Sequence, residues 1–255
     1  MDLKNSCKRI IPKSIRHAIK GALGIRDLND RITLLNQRIF DIETKMDEVL
    51  YRQDNWERSR KRWRTVEPDK GLTWNREISG DNFIIKIKDY VNFNTEKQIL
   101  EIGPGYGRLL RSLMKMKIPF KGYTGLDISP KNISHLRSAF PEETLDFVEG
   151  DVEHIDFVDK TFDIVYSSLT FKHFFPTFEN ALRNITRHVN PGAMIAFDLI
   201  EGEMRTFEND GTTYLHSYTK QEVSEILERV SLMLVSFNQV DHTTGFSRLL
   251  VVAKK

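Results

Sequence analysis

A single cysteine, Cys7, stands among the 255 residues, so no disulfide or cysteine-based metal cluster can form within one chain. A reducing compartment is the natural home of such a sequence. No apolar run reaches the length of a membrane span and no secretory signal is evident, so cytoplasmic residence is expected, with attachment to the inner membrane surface left open. Internal repeats and low-complexity tracts are missing as well, which sets aside solenoids and flexible spacers. The net charge is only +2, and the apolar share of 40% is enough for one large α/β domain plus an appendage.

The most informative stretch is Ile99-Leu100-Glu101-Ile102-Gly103-Pro104-Gly105-Tyr106-Gly107. It reads as an apolar strand carrying an acid, then alternate glycines, then a helix from Arg108 onward. Glycine permits a tight turn and close backbone approach to a ligand at the carboxyl end of a parallel sheet. A dinucleotide fingerprint would need its third glycine where this chain has Arg108, so the spacing is G-x-G-x-G and not G-x-G-x-x-G. Glu101 points the same way: a carboxylate beside the helix start repels a pyrophosphate but suits a ligand bearing an ammonium and a sulfonium. Two further acids, Asp127 and Asp151, each close an apolar run downstream.

These motifs resemble those of the Rossmann-like, class I S-adenosylmethionine-dependent methyltransferases, over residues 97–200 and more loosely to the end. The resemblance implies an α/β fold with a seven-stranded, mostly parallel sheet and a reversed final hairpin, and S-adenosylmethionine as cofactor. Glu101, Gly103, Gly105 and Gly107 match the motif that wraps the methionine part. Asp127, followed by Ile128, matches the acid that accepts both ribose hydroxyls, a role suited to the two oxygens of an ionised carboxylate. Asp151 matches the acid that receives the adenine amino group, with Val152 donating its backbone amide to the ring. Ser168 ends a run, from Phe162, that matches the fourth strand, whose end faces the transferable methyl. Pro191 to Phe197 resembles the turn into the fifth.

After the first motif, strands and helices alternate, which supports a parallel sheet. Ser129-Pro130 reads as an N-cap with proline at N1 for a helix to Ala139, and Thr219 to Glu222 as a capping box before a helix to Arg229. An alcohol acceptor requires removal of its proton, and the candidate bases follow the strand ends: His173 first, then Glu201, and His216 in a long 200–218 insertion. No metal is assigned, because acids are not clustered after both the fourth and fifth strands, although Asp198, Glu201 and Glu203 keep a divalent ion open. With no Asn-Pro-Pro-aromatic motif after the fourth strand, the resemblance does not extend to the usual exocyclic-amino nucleic-acid enzymes.

The N-terminal third has a different character. Residues 1–26 hold seven Lys or Arg against one acid, whereas 71–255 hold 21 against 25. Ile11, Ile15, Ala18, Ile19 and Ala22 recur at helical spacing among Lys8, Arg9, Lys13, Arg16 and Lys20, so residues 8–24 read as a basic amphipathic helix suited to an anionic membrane surface. Leu28, Ile32, Leu35, Ile39, Ile42, Met46 and Val49 then alternate spacings of four and three. That is a coiled-coil seam, and residues 28–49 are expected to join copies of the chain into a homo-oligomer. The register runs on through Trp56 and Trp63, with Arg58, Arg60, Lys61, Arg62 and Arg64 read as a solvated face; nucleic acid is not the expected partner. The expected organisation is a basic segment (1–26), a coiled-coil helix (27–64), a linker (65–80) and a methyltransferase domain (81–255). The expected acceptor is a sugar hydroxyl or glycolipid, with an RNA methyltransferase and a non-catalytic scaffold as rivals.

Overall fold

The computed structural model describes residues 13–22, 24–68, 79–202, 205–208, 214–240 and 247–255. They fall into two compact units that divide between Gln53 and Asp54. In the first unit, α1 (Lys13–Ala22) is followed by Gly24 at φ +63°, and α2 (Ile25–Thr65) begins there. Ile32, Leu35 and Ile39 of the expected seam are half exposed, as are Ile15 and Leu34. Lys8, Arg9 and Ile11 lie outside the described residues. Among the described residues no helix is long and apolar enough to cross a membrane.

The second unit starts at Asp54, so the last turns of α2 belong with the domain and not with the stripe before them. Most of the expected linker, residues 69–78, lies outside the described residues. Beyond it come α3 (Asp81–Lys88), β1 (Gln98–Ile102), α4 (Arg108–Lys115), β2 (Gly122–Asp127), α5 (Pro130–Ala139), β3 (Leu145–Glu149) and β4 (Phe162–Ser167). They are followed by α6 (Phe178–Arg187), β5 (Val189–Glu201), β6 (Arg205–Glu208), β7 (Tyr214–Tyr218), α7 (Lys220–Arg229), β8 (Met233–Val240) and β9 (Arg248–Lys254). The caps are as read: Ser129 accepts from Asn132 N–H at 3.3 Å, with Pro130 behind it, and Thr219 accepts from Glu222 N–H at 3.1 Å.

The strands make one sheet in the order β3-β2-β1-β4-β5-β7-β6, with β9 pairing to both β5 and β8. The described residues thus hold nine strands, not seven. The extra two come from the 200–218 segment: Ile200 and Glu201 at the end of the long β5 pair with Ser217 and Tyr218, and β6 folds back antiparallel on β7. Short runs of strand formers separated by Gly202 and by Asn209 to Gly211 carry too little period to be told from loop. The reversal is also narrower than expected. Of the final pair only β9 opposes the parallel strands, since it is antiparallel to β5 and β8 is antiparallel to it in turn. Pro191-Gly192 does not precede the fifth strand; it forms an irregularity inside it, with Gly192 at φ +81° and a register shift opposite Phe162 and Ile164.

Alternation along the strands feeds two apolar layers, one on each face. On β1, Ile99 packs in the layer with Phe83, Ile84, Ile87, Leu109 and Leu110, while Leu100 packs with Phe178, Leu182 and Phe197 on the other side. On β9 the same switch separates Leu249 and Val251 from Leu250 and Val252. Leu100 is fully buried. Leu100→Ala should lower unfolding free energy by about 2–5 kcal/mol in urea titration, through lost burial and a residual cavity; a loss under about 1 kcal/mol would contradict this packing.

Candidate cofactor and active site

The site begins where β1 runs out. Gly103, Gly105 and Gly107 all hold left-handed backbone, at φ +68°, +58° and +84°, where a Cβ is strained. Gly103 N–H donates to the Leu126 carbonyl at 2.8 Å and Gly105 N–H to Asp127 Oδ2 at 3.0 Å, which ties the loop to the end of β2. Gly103 and Gly105 line a cavity above the carboxyl ends of the strands, together with Glu101, Asp127, Ile128, Asp151, Val152, Ser168 and His173. Gly107 does not line it, contrary to expectation. A Cβ there would stand 2.5 Å from the Phe140 ring, so this glycine serves helix packing instead.

Glu101 is buried and accepts from the Tyr123 hydroxyl at 2.7 Å. Burial pushes its carboxyl up to about 7, against the opposing pull of that hydrogen bond and of the nearby Arg108 charge. Asp127 is also raised by burial, though its oxygens accept from Ser129 N–H (2.9 Å), Gly105 N–H (3.0 Å) and Asn132 Nδ2 (3.1 Å). Ser129 fills the cap as expected, but Asp127 is not thereby left free: it is already the joint between loop and helix. Asn132 Oδ1, beside it in the same cavity, is buried without a hydrogen-bond partner. A glycine cradle, a buried acid whose proton a cation would displace and an orphaned acceptor beside a second acid together fit S-adenosylmethionine.

Asp151 has a neighbour that the motif did not reveal. Arg60, on the last turns of α2, is buried and reaches Asp151 Oδ2 through Nε at 3.2 Å, while its Nη2 pairs with Glu153. Asp151 Oδ1 accepts the Glu153 N–H at 3.1 Å. An adenine amino group would therefore share this carboxylate with a guanidinium. The Val152 carbonyl is held by Asn184 Nδ2 at 2.9 Å. The reading of residues 58–64 as a solvated basic face is corrected at Arg60, and Arg58 is paired with Asp54 at 2.8 Å. Trp56, Ser59 and Trp63 line the cavity with Arg60.

Ser168 lines the cavity, but its hydroxyl is engaged: it donates to Asp198 Oδ2 at 2.8 Å and accepts from Arg108 Nη2 (2.8 Å) and Arg248 Nη2 (3.0 Å). Asp198 also pairs with Arg248 and takes the Leu169 N–H at 2.7 Å. Leu169 has φ +67°, a strained state for a branched residue, held by that contact. The Ser168 side chain thus fixes the loop after β4 more directly than it can touch a ligand. Asp198 is occupied in the same way, and Glu203 lies outside the described residues.

Of the candidate bases only His173 reaches the cavity, on a short 3-10 turn (Phe171–His173) with its ring 4.6 Å from that of Trp63. Glu201 is placed elsewhere: β5 overshoots the site and delivers it to Lys220 Nζ (3.4 Å), Ser247 (3.1 Å) and Gln239 (3.3 Å). His216 is buried and stacked on Phe175 at 3.8 Å, outside the cavity lining, so it is a packing residue.

The raised Glu101 carboxyl yields a signed prediction. Below about pH 7 this group is mostly protonated in the free protein; a bound ammonium and sulfonium favour its charged form, so binding should release a proton and tighten as pH rises toward 7. Calorimetry of S-adenosylmethionine at pH 6.5 in buffers of different ionisation enthalpy should show this release, and Glu101→Gln should abolish it. Identical heats in all buffers would remove Glu101 from the cofactor site.

Residues 100–197 match the family described as Methyltransferase domain. A phthiotriol/phenolphthiotriol dimycocerosates methyltransferase of Mycobacterium leprae is 33% identical over 101 residues, 40% of this chain and 37% of that protein. A fatty-acid O-methyltransferase of Mycolicibacterium smegmatis is likewise 33% identical over 101 residues, covering 40% and 36%. The chain thus spans well under half the length of these two relatives. In solved structures, the Burkholderia thailandensis 1,6-didemethyltoxoflavin-N1-methyltransferase with bound S-adenosylhomocysteine shares the fold at a TM-score of 0.60 and 19% identity, over 72% of this chain and 80% of that one. Residues 100–197 thus match a methyltransferase domain, and the α/β sheet that carries them has the fold of solved S-adenosylmethionine-dependent methyltransferases.

Proposed function

We propose that the chain is an O-methyltransferase acting on a sugar hydroxyl or glycolipid in surface-polysaccharide or glycolipid assembly. The observation that carries this reading is the convergence of Glu101, Asp127, Asp151 and His173 on one cavity, with Glu201 and His216 placed away from it. S-adenosylmethionine supplies an electrophilic methyl group. Glu101 offers a carboxylate to its cationic end, Asp127 and Asn132 offer oxygens to vicinal hydroxyls, and Asp151 with Val152 meets the adenine edge. Trp63 and His173 wall off water from the reacting end. His173 accepts the hydroxyl proton as the acceptor oxygen attacks, the step that an alcohol cannot do without. Much of the acceleration comes from holding that oxygen in line at near-attack distance.

The lipid names of the mycobacterial relatives favour an acceptor with a lipid part, and a basic segment at residues 8–24 would bring the chain to an anionic inner-membrane surface where such acceptors reside. Association of two or more copies along residues 28–49 would gather several weak membrane contacts into a useful one. The half-exposed Ile32, Leu35 and Ile39 support that association.

Two experiments test this reading. His173→Ala should lower methyl transfer by about 100-fold or more, the usual worth of a general base, while S-adenosylmethionine affinity is retained; turnover equal to the parent would remove His173 from the mechanism. Joint Ile32→Glu and Ile39→Glu substitution should convert the sedimenting species to a monomer, and an unchanged mass would exclude this seam as the contact.

A further inference from the structure

Trp56, Ser59, Arg60 and Trp63 are spaced i, i+3, i+4 and i+7, which places them on one face of α2, and all four line the cavity. Arg60 is ion-paired with Asp151 and Glu153, although its Nε makes no hydrogen bond. Trp56 Nε1, Ser59 Oγ and Trp63 Nε1 are each buried without a hydrogen-bond partner. Such groups are rare in folded proteins, and an indole N–H can only donate. Three of them on a single helix face, in residues that all line one cavity, make a face short of acceptor oxygens.

We propose that this face is the acceptor-recognition wall of the methyltransferase and that what lies on it is a hydroxyl-rich sugar ring rather than an alkyl chain. The inference rests on the methyl-transfer reading above and narrows its acceptor. An alkyl chain seated here would leave all three donors unpaired, whereas ring and hydroxyl oxygens supply lone pairs. A carboxylate or phosphate is disfavoured, because the one cation of the face is already flanked by two acids, Asp151 and Glu153. The cofactor has its own complement in Glu101, Asp127, Asn132 and Asp151, on elements other than α2. Where the acceptor is a glycolipid, its headgroup and not its chain occupies this wall.

The test uses the full chain and labelled methyl from S-adenosylmethionine, with two probes: a lipid-linked oligosaccharide fraction of bacterial cells, analysed after mild-acid release of the glycan, and palmitic acid. Label should travel with the released glycan and not with palmitate. The combined Trp56→Phe, Ser59→Ala and Trp63→Phe variant keeps an aromatic ring at both tryptophan positions and removes all three donors, with the five-membered ring of each indole. It should lose about 30-fold or more in transfer, while affinity for S-adenosylhomocysteine by calorimetry stays within about threefold. Label in palmitate or in neither probe, parental turnover in the variant, or a matching loss of S-adenosylhomocysteine affinity would each overturn the assignment. Failure of the unaltered chain to bind S-adenosylhomocysteine would instead overturn the methyl-transfer reading itself.

Discussion

Asp127 accepts hydrogen bonds from Gly105, Ser129 and Asn132, and through them one buried carboxylate holds together the end of β2, the glycine loop and the first turn of α5. Few groups could do this. The site needs an acceptor of three donors, small enough to stand at a strand end, and a carboxylate offers about four lone-pair positions. Its burial raises its pKa while the three donors, two from the backbone and one from Asn132, oppose that rise. The loop geometry and the ligand-facing chemistry are therefore one construction. Positive φ at Gly103 and Gly105 lets the chain curl back toward Asp127, and Asp127 in turn keeps it there.

A second polar assembly supports the opposite wall. Ser168, Asp198, Arg108 and Arg248 come from the β4 loop, β5, α4 and β9 and meet out of water. Removing one member of such a cluster leaves charges buried without compensation, which is why it makes a stiff frame. Lys172, buried close by, is pushed toward its neutral form by desolvation, a sign of how little further charge the region tolerates.

What could be read from the chain was local chemistry. A glycine that must turn, an acid that closes a strand, a serine before a proline and a threonine three residues before a glutamate each announce themselves within a few positions. The helix from Pro130 to Ala139 and the strand from Phe162 to Ser167 fall as the residues suggest. What could not be read was long-range. Arg60 finds Glu153 across 93 residues, and nothing near Arg60 in the chain distinguishes it from its solvated neighbours. Trp56 and Trp63 continued the heptad spacing of residues 28–49 and concealed a change of role halfway along one helix. Glu201 had the right chemistry in the wrong place, because the length of β5 could not be judged before its partner β7 was known. Ser168 lines the cavity, but three partners from separate elements hold its hydroxyl.

The position of β9 bears on the order in which the protein is made. Although last among the strands in sequence, it sits inside the sheet, between β5 and β8, and carries Arg248 to Asp198. While a nascent chain still lacks that strand, Asp198 has no guanidinium from β9, the β5 edge is unpaired, and the loop after β4 lacks part of its support. Completion of the frame must therefore follow synthesis of β9 rather than proceed strand by strand, and a growing chain exposes its longest hydrophobic edge until late.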